Sequence, residues 1–293
     1  GAVPAAETCD NRDNDCDGHL DEPYDADGFN GVRDAVVGPL TIYGSSIVMY
    51  KYEASRPDAL ASSAGFVKTR ACSTASKLPW ASGNFAEVQA ACSAAGMRVC
   101  GVTRNAAGQV TSDEWGRFCE GASNLSYPYG NTFSGNTCNG SDYDPVTGGI
   151  NEDFAVSTGS LAACVSSDLA FDMSGNLKEW VNDPRVVGGQ TVYTLRGGSF
   201  DNHQDGMTCD FDLSVVSANY TFDNLGFRCC ALACPAGQVE CGGTCINLAT
   251  SATNCGACGT ACGGGSACSN GYCCPTGTRA CGDECVANAT ACP

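Results

Sequence analysis

The sequence predicts an α+β fold: an irregular, loop-rich central domain, preceded by a short acidic loop and followed by a small disulfide-rich module. Three observations carry that expectation. β-rich runs lie at Thr41–Tyr43 and Ser46–Glu53, capping signatures open two short amphipathic helices near residues 84 and 111, and the 23 cysteines fall into clusters. Two cysteines lie in residues 1–30, nine between Cys72 and Cys230, and twelve from Cys234 onward. Composition therefore divides the chain into segments 1–30, 31–231 and 232–293.

The first segment contains Asp13-Asn-Asp15-Cys-Asp17-Gly18-His19-Leu-Asp21. Asp at loop positions 1, 3, 5 and 9, with Gly at 6 and His19 at 7, is the spacing that wraps oxygens around Ca²⁺. Position 12 is Tyr24, so the usual bidentate Glu is absent unless Glu22 or Asp25 replaces it. Cys9 and Cys16 are placed to pin the loop. The segment resembles the short acidic repeats of secreted myxobacterial proteins.

In the central segment, Gly44 interrupts the two β-rich runs, as a hairpin or a bent strand requires. Asn84 and Glu87 form a capping box before Phe85, Val88, Ala91, Cys92 and Ala95 at helical spacing, and Gly96 closes the helix. Thr111 with Glu114 predicts a second box, opening a helix that carries Trp115, Phe118 and Cys119. From Tyr127 to Ala170 the pattern gives way to Gly, Asn, Ser, Asp and Thr, a stretch that needs something besides apolar packing to hold it.

The tail is a tandem repeat. Cys234-Pro-Ala-Gly followed by Cys241-Gly-Gly-Thr-Cys245 recurs as Cys274-Pro-Thr-Gly followed by Cys281-Gly-Asp-Glu-Cys285. The second copy either is truncated or continues beyond residue 293. A stretch so poor in large apolar residues is expected to be held by cross-links, as a stalk or spacer, in preference to a metal-binding module.

Charge narrows the function. Fifteen Lys and Arg against 32 Asp and Glu give a formal charge of −17, which leaves no basic surface for nucleic acid or anionic membrane. No apolar run reaches a membrane-spanning length, so membrane insertion is not expected, and Gly1 is expected to follow a removed segment. Twenty-three cysteines beside two histidines point to disulfides and to a secreted or cell-surface protein. The odd count leaves a thiol that is free, bonded to another chain, or paired outside the sequence.

Four ordered motifs, Tyr127-Pro-Tyr-Gly130, Phe171-Asp-Met-Ser-Gly-Asn-Leu-Lys-Glu-Trp180, Leu195-Arg-Gly-Gly-Ser-Phe200 and Leu225-Gly-Phe-Arg-Cys229, resemble the formylglycine-generating enzyme, or sulfatase-modifying factor, family. The resemblance covers the central segment and implies a loop-rich variant of the C-type-lectin-like fold with bound calcium. It implies one calcium site from the side chains of Asp172 and Glu179 with the carbonyls of Gly175 and Leu177. A second would use Asn139, the Gly140 carbonyl, Asp153 and the Ala155 carbonyl, tying down the long loop. Both sets offer the hard oxygens calcium takes. The resemblance also implies disulfides Cys92–Cys229 and Cys119–Cys209. Cys138 and Cys164 are then natural partners by proximity, and Cys72, Cys100 and Cys230 are left over.

Enzymes of the family oxidise a substrate cysteine with O₂ through copper held by two cysteines shortly after the Arg-Gly-Gly-Ser-aromatic motif. Here those positions are Asn202 and Met207, neither a thiolate, so copper is not expected and the domain reads as a family member without the oxidase activity. Ser199 with His203 lacks a placed acid and oxyanion hole, and the acidic pairs Glu152-Asp153 and Asp210-Phe-Asp212 are better explained by calcium or solvation than as a glycosidase dyad. Tyr127, Tyr129, Trp180, Phe200 and Tyr220 line a former substrate groove or belong to the core. The expectation is a non-catalytic structural or adhesive protein, with self-association and a fibre or coat among its uses. The alternatives are a module that binds a glycan or protein ligand, and an oxidase with copper on Cys209 and His203 or Met207.

Overall fold

A computed structural model describes residues 7–14, 21, 34–145, 153–212, 215–282 and 284–292. It divides into two compact units, one of Asp34–Ser93 with Arg98–Ala231, the other of Leu232–Pro293 with residues 94–97 and the N-terminal segment.

The central unit is mostly β with few helices. β1 (Val36–Ile42) and β2 (Ser45–Tyr50) form an antiparallel hairpin whose two-residue turn, Tyr43-Gly44, has positive φ at both positions, as a turn matching strand twist requires. Pro39, with no N–H for the ladder, sits in the bulge between Val37 and Leu40. Helix α1 (Phe85–Ala94) is capped as its sequence predicts, with Glu87 N donating to Asn84 Oδ1 (3.0 Å) and Asn84 N donating to Glu87 Oε2 (3.3 Å). Its buried residues are Phe85, Val88, Ala91 and Cys92.

β3 (Arg98–Val99) and β4 (Val102–Arg104) follow, then β5 (Val110–Asp113) and α2 (Glu114–Glu120). The start of α2 corrects the sequence expectation. Thr111 lies within β5 and bonds Thr103 O, whereas Asp113 is the cap and accepts from Gly116 N at 2.7 Å. Asp is as good a cap as Thr and stands next to the helix, so the nearer carboxylate takes the role.

β6 (Lys178–Val187) is central in a second sheet, ordered β8-β7-β6-β9. It runs antiparallel to β7 (Gln190–Arg196) and parallel to β9 (Leu225–Phe227), and β8 (Val215–Ser217) forms an edge. β10 (Cys229–Leu232) returns to the first sheet, ordered β1-β2-β10-β3. Trp80, Trp115, Trp180, Phe118, Phe227 and Tyr50 fill the core, and Trp80 meets Phe227 edge-on at 5.5 Å. Tyr127, Trp180 and Phe200 are also buried, so most of the aromatics near the family motifs are core, while Tyr220 is exposed.

The tail is three hairpins: β11 (Val239–Cys241) with β12 (Thr244–Ile246), β13 (Ser266–Ser269) with β14 (Tyr272–Pro275), and β15 (Thr278–Cys281) with β16 (Glu284–Ala287). The repeat is visible in its bridges: Cys234–Cys245 and Cys274–Cys285 both span 11 residues.

All 22 described cysteines are disulfide-bonded, and Cys16 lies outside the described residues. Cys92–Cys229, Cys119–Cys209 and Cys138–Cys164 are joined. Of the three cysteines left over in the sequence, Cys100 joins Cys230 and Cys72 is bonded as well. Among the described residues, no helix is long and apolar enough to cross a membrane.

The adjacent cysteines of β10 give a non-additive stability effect. With Cys92–Cys229 in place, Cys100–Cys230 closes a loop of only about nine residues, worth about 2.6 kcal/mol by loop entropy; without it, and with Cys119–Cys209 still formed, the loop is about 40 residues and worth about 3.9 kcal/mol. Replacing either pair by alanines should therefore cost about 2.6 kcal/mol from the loop term, and replacing both should cost more than the two losses added. Urea unfolding of the three variants checks this; simple additivity would contradict it.

Candidate functional site

The loop after β7 holds the motif in which catalytic residues are expected. Asn202 Oδ1 accepts from Ser199 N (2.9 Å) and lies 2.8 Å from Ser199 Oγ, while the Asn202 carbonyl accepts from Ser141 N (3.0 Å) and Ser141 Oγ (3.1 Å). His203 Nδ1 lies 2.7 Å from Ser141 Oγ, so the imidazole meets Ser141 and not Ser199. Met207 is buried in a cluster with Tyr127, Cys138 and Cys164. It packs so closely on Gly140 that a Cβ there would collide with its Sδ, which explains the glycine. Cys209 is bonded to Cys119. Asn202 thus braces the loop, Met207 fills the core, and the Cys209 sulfur is no thiolate. The donor set does not fit copper, including the version that recruits Cys209 with His203 or Met207.

Beneath this loop lies a buried charge cluster. Arg228 Nε donates to Glu179 Oε1 at 2.8 Å, and its other nitrogens reach the carbonyls of Tyr50, Lys51 and Phe171. Glu179 Oε2 accepts from Trp115 Nε1 at 2.8 Å. Glu53 accepts from Leu177 N (2.9 Å) and from the Asn176 amide, and Asp172 Oδ2 accepts from Gly159 N (2.7 Å). Burial pushes all three carboxyls up. Glu53 is raised further by the charges of Asp172 and Glu179, and Asp172 is raised to about 6 despite its backbone bond and Arg228.

A second, shallower network joins β4, β6 and β7. Asp183 accepts from Arg104, Arg185 and Thr194, and Asp212 pairs with the same two arginines. Burial raises Asp183, but these hydrogen bonds outweigh it and hold the carboxyl at about 2. Beside it opens a cavity of about 430 Å³ lined by Tyr43, Asp113, Arg117, Glu120, Arg196 and Asp210 among others. Arg196 pairs with Asp113 at 2.5 Å. Burial raises Glu120, and the Asp113 charge adds to the effect.

The expected calcium ligands divide. Asn139 Nδ2 donates to Phe154 O at 3.0 Å, which brings Asn139 and Gly140 to the strand of chain that carries Asp153 and Ala155. All four offer oxygen donors of the kind calcium takes. Asp172 and Glu179 also share one region with Gly175 and Leu177, but both Glu179 oxygens have protein donors. Among the described residues the one group of three ligand atoms converging within 4.8 Å consists of cysteines. In the acidic loop, Asp21 accepts from Asp10 N (2.8 Å) and Asn11 N (2.9 Å) as a backbone cap, and Asp13 is described; Asp15, Asp17 and His19 lie outside the described residues, as do Cys16, Glu22, Tyr24, Asp25 and Glu152.

Residues 72–233, more than half of the chain, match the family model described as the sulfatase-modifying factor enzyme 1-like domain. The chain belongs to the sulfatase-modifying factor family. Among solved structures, the chain is similar to CarF (22% identity, 40% of this chain and 43% of CarF, TM-score 0.30). It is also similar to Treponema denticola variable protein 1 (16%, 68% and 91%, 0.45) and to PvdO from Pseudomonas aeruginosa (16%, 63% and 79%, 0.41). The chain therefore spans less than half of the CarF chain. No curated protein matched it.

Sequence reasoning missed Glu53 and the Asp183 network. Glu53 carried a signal, being the acid that closes the β-rich run Ser46–Glu53. Asp183, Arg104, Arg185 and Asp212 are ordinary surface-type residues whose convergence depends on strand register. Asp183 gives a pH test. Its folded carboxyl, at about 2, lies below the ordinary value near 4, so its stabilisation is present above that value and is lost as pH falls toward 2. Asp183→Asn should flatten the stability curve between pH 4 and 2 in acid titrations followed by circular dichroism; a wild-type slope in the variant would contradict the assignment.

Proposed function

We propose that this chain uses the sulfatase-modifying factor scaffold without its oxidase chemistry, as a calcium- and disulfide-stabilised structural or adhesive element of an extracellular or cell-surface protein. The observation that carries this reading is the pair Asn202 and Met207 at the positions of the expected copper thiolates, one spent on loop hydrogen bonds and the other on core packing. The dense bridging supports an oxidising location. Copper reconstitution with a cysteine-containing sulfatase-type peptide should give no aldehyde product and no copper retained by the chain. Turnover would overturn the reading.

Calcium would be held by Asn139, the Gly140 carbonyl, Asp153 and the Ala155 carbonyl, where it would secure the long loop together with Cys138–Cys164. Further calcium at the Asp172, Gly175, Leu177 and Glu179 set, or in the acidic loop through Asp13, Asp15, Asp17, His19 and Asp21, belongs to the same proposal. Calcium in hundredfold excess over its Kd stabilises by about 2.7 kcal/mol, or very roughly 5–10 °C in a domain of this size. Chelator should lower the melting temperature by that order in the wild type and by less in Asn139→Ala. Melting unaffected by chelator would remove calcium from the account.

The cavity beside Arg196 favours a second reading, a module that binds a peptide or glycan. Its mixed acidic and guanidinium lining suits a polar ligand carrying a positive group. Self-association belongs to the structural reading and is read out by sedimentation of the protein with and without reductant.

A further inference from the structure

The cavity of about 430 Å³ beside Arg196 has two unlike walls. One is apolar and aromatic: Ile42, Val110 and the ring of Tyr43, which is 74% exposed at the β1–β2 turn. The other carries charge, most of it already paired. Arg196 meets Asp113 (2.5 Å), Arg117 meets Asp168 (3.2 Å), and Asp212 meets Arg104 (3.2 Å) and Arg185 (2.9 Å). Among the described residues lining the cavity, Glu120 and Asp210 are the two acids whose carboxylates have neither an ion pair nor a hydrogen bond. Glu120 ends α2, and Asp210 follows the bridged Cys209.

The surroundings define what these acids can hold. Arg196 is 3% exposed, and although its terminal nitrogens are bonded, its Nε is buried without an acceptor. A buried donor left unmatched is costly, and an oxygen entering the cavity can match it. Burial pushes the Glu120 carboxyl up, and the charges of Asp113 and Asp210 add to this against Arg117 and Arg196, the direction of an acid short of a cation. Among the described residues no three carboxylates bring oxygens within 4.8 Å of one another, so this wall is no cage for a bare ion. An organic cation brings donors and bulk of its own. The two acids come from different elements, and an ammonium is a compact charge whose three donors can bond both, whereas the planar guanidinium fork matches a single carboxylate.

We propose that this cavity binds a primary ammonium on an aliphatic stem that also carries an oxygen acceptor, the chemistry of a lysine residue in a peptide. The ammonium sits between Glu120 and Asp210, the stem lies along Val110 and the Tyr43 ring, and the oxygen accepts from Arg196 Nε. The proposal rests on the second functional reading, in which the cavity is a binding site, and gives that reading its ligand class. Tyr43 has φ of 48°, a conformation that favours glycine, so replacing it by glycine removes the ring without harming the turn.

The test titrates the full chain with three probes. N-acetyl-lysine methylamide has every feature, N-acetyl-norleucine methylamide lacks the charge, and cadaverine has the ammonium and stem without the oxygen. Calorimetry gives affinity, and NMR signals of Tyr43 and Ile42 place the probe. The lysine probe should bind with a Kd of about 1 mM, at least tenfold tighter than norleucine and severalfold tighter than cadaverine. Glu120→Gln, Asp210→Asn and Tyr43→Gly should each weaken it at least threefold. Asp223→Asn, at an exposed acid outside the lining, should not. Cadaverine binding as tightly as the lysine probe would overturn the role of Arg196 and the peptide source, and equal losses in Asp223→Asn would overturn the site. A lysine-free pool of peptides and glycans separates the remaining failures. If the pool shifts the cavity signals and the lysine probe does not, the ammonium assignment falls and the binding reading stands; if nothing shifts them, both fall.

Discussion

One guanidinium, that of Arg228 on Glu179, shares the core with two further buried carboxyls, Glu53 and Asp172, and the rest of the central unit is arranged around that imbalance. Glu53 comes from just past β2, Asp172 from the stretch leading into β6, Glu179 from β6 itself, and Arg228 from the link between β9 and β10. Taking four ionisable groups from water is costly, and one positive charge cannot offset three negative ones, which is why each carboxyl is pushed toward its neutral form. The cluster therefore sets register more than it adds stability: each partner has one place to be, and both sheets meet there.

Cross-links do the complementary task. The central unit has a genuine core, so its bridges fix the chain at places where packing is thin: α1 and β3 to β10, α2 to the loop after β7, and the long loop to itself. The tail has almost no core, and there the bridges replace it. The loop after β7 is bound into the central unit. Asn202 ties it to Ser141, and Met207 anchors it in the core.

Much of this was legible in the sequence where the signal is local. The Asn84–Glu87 box, the Tyr43-Gly44 turn and the tandem tail depend on neighbours within a few residues, and the ordered family motifs identified the central domain. What stayed hidden depends on long-range register. The cap of α2 passed from Thr111 to Asp113 because a strand runs up to the helix. Glu179 stands in a local motif, but its pairing with Arg228, 49 residues away, is invisible to that motif. The Cys100–Cys230 bridge follows from which strands lie side by side.

Urea unfolding of Arg228→Met in calcium-free buffer measures how far the guanidinium on Glu179 holds this cluster of three buried acids together. The expected loss is about 3–5 kcal/mol at pH 7. That loss should shrink at pH 5 as the raised carboxyls take up protons, and Glu179→Gln added to the variant should restore part of it. A loss independent of pH and simply additive with Glu179→Gln would contradict it.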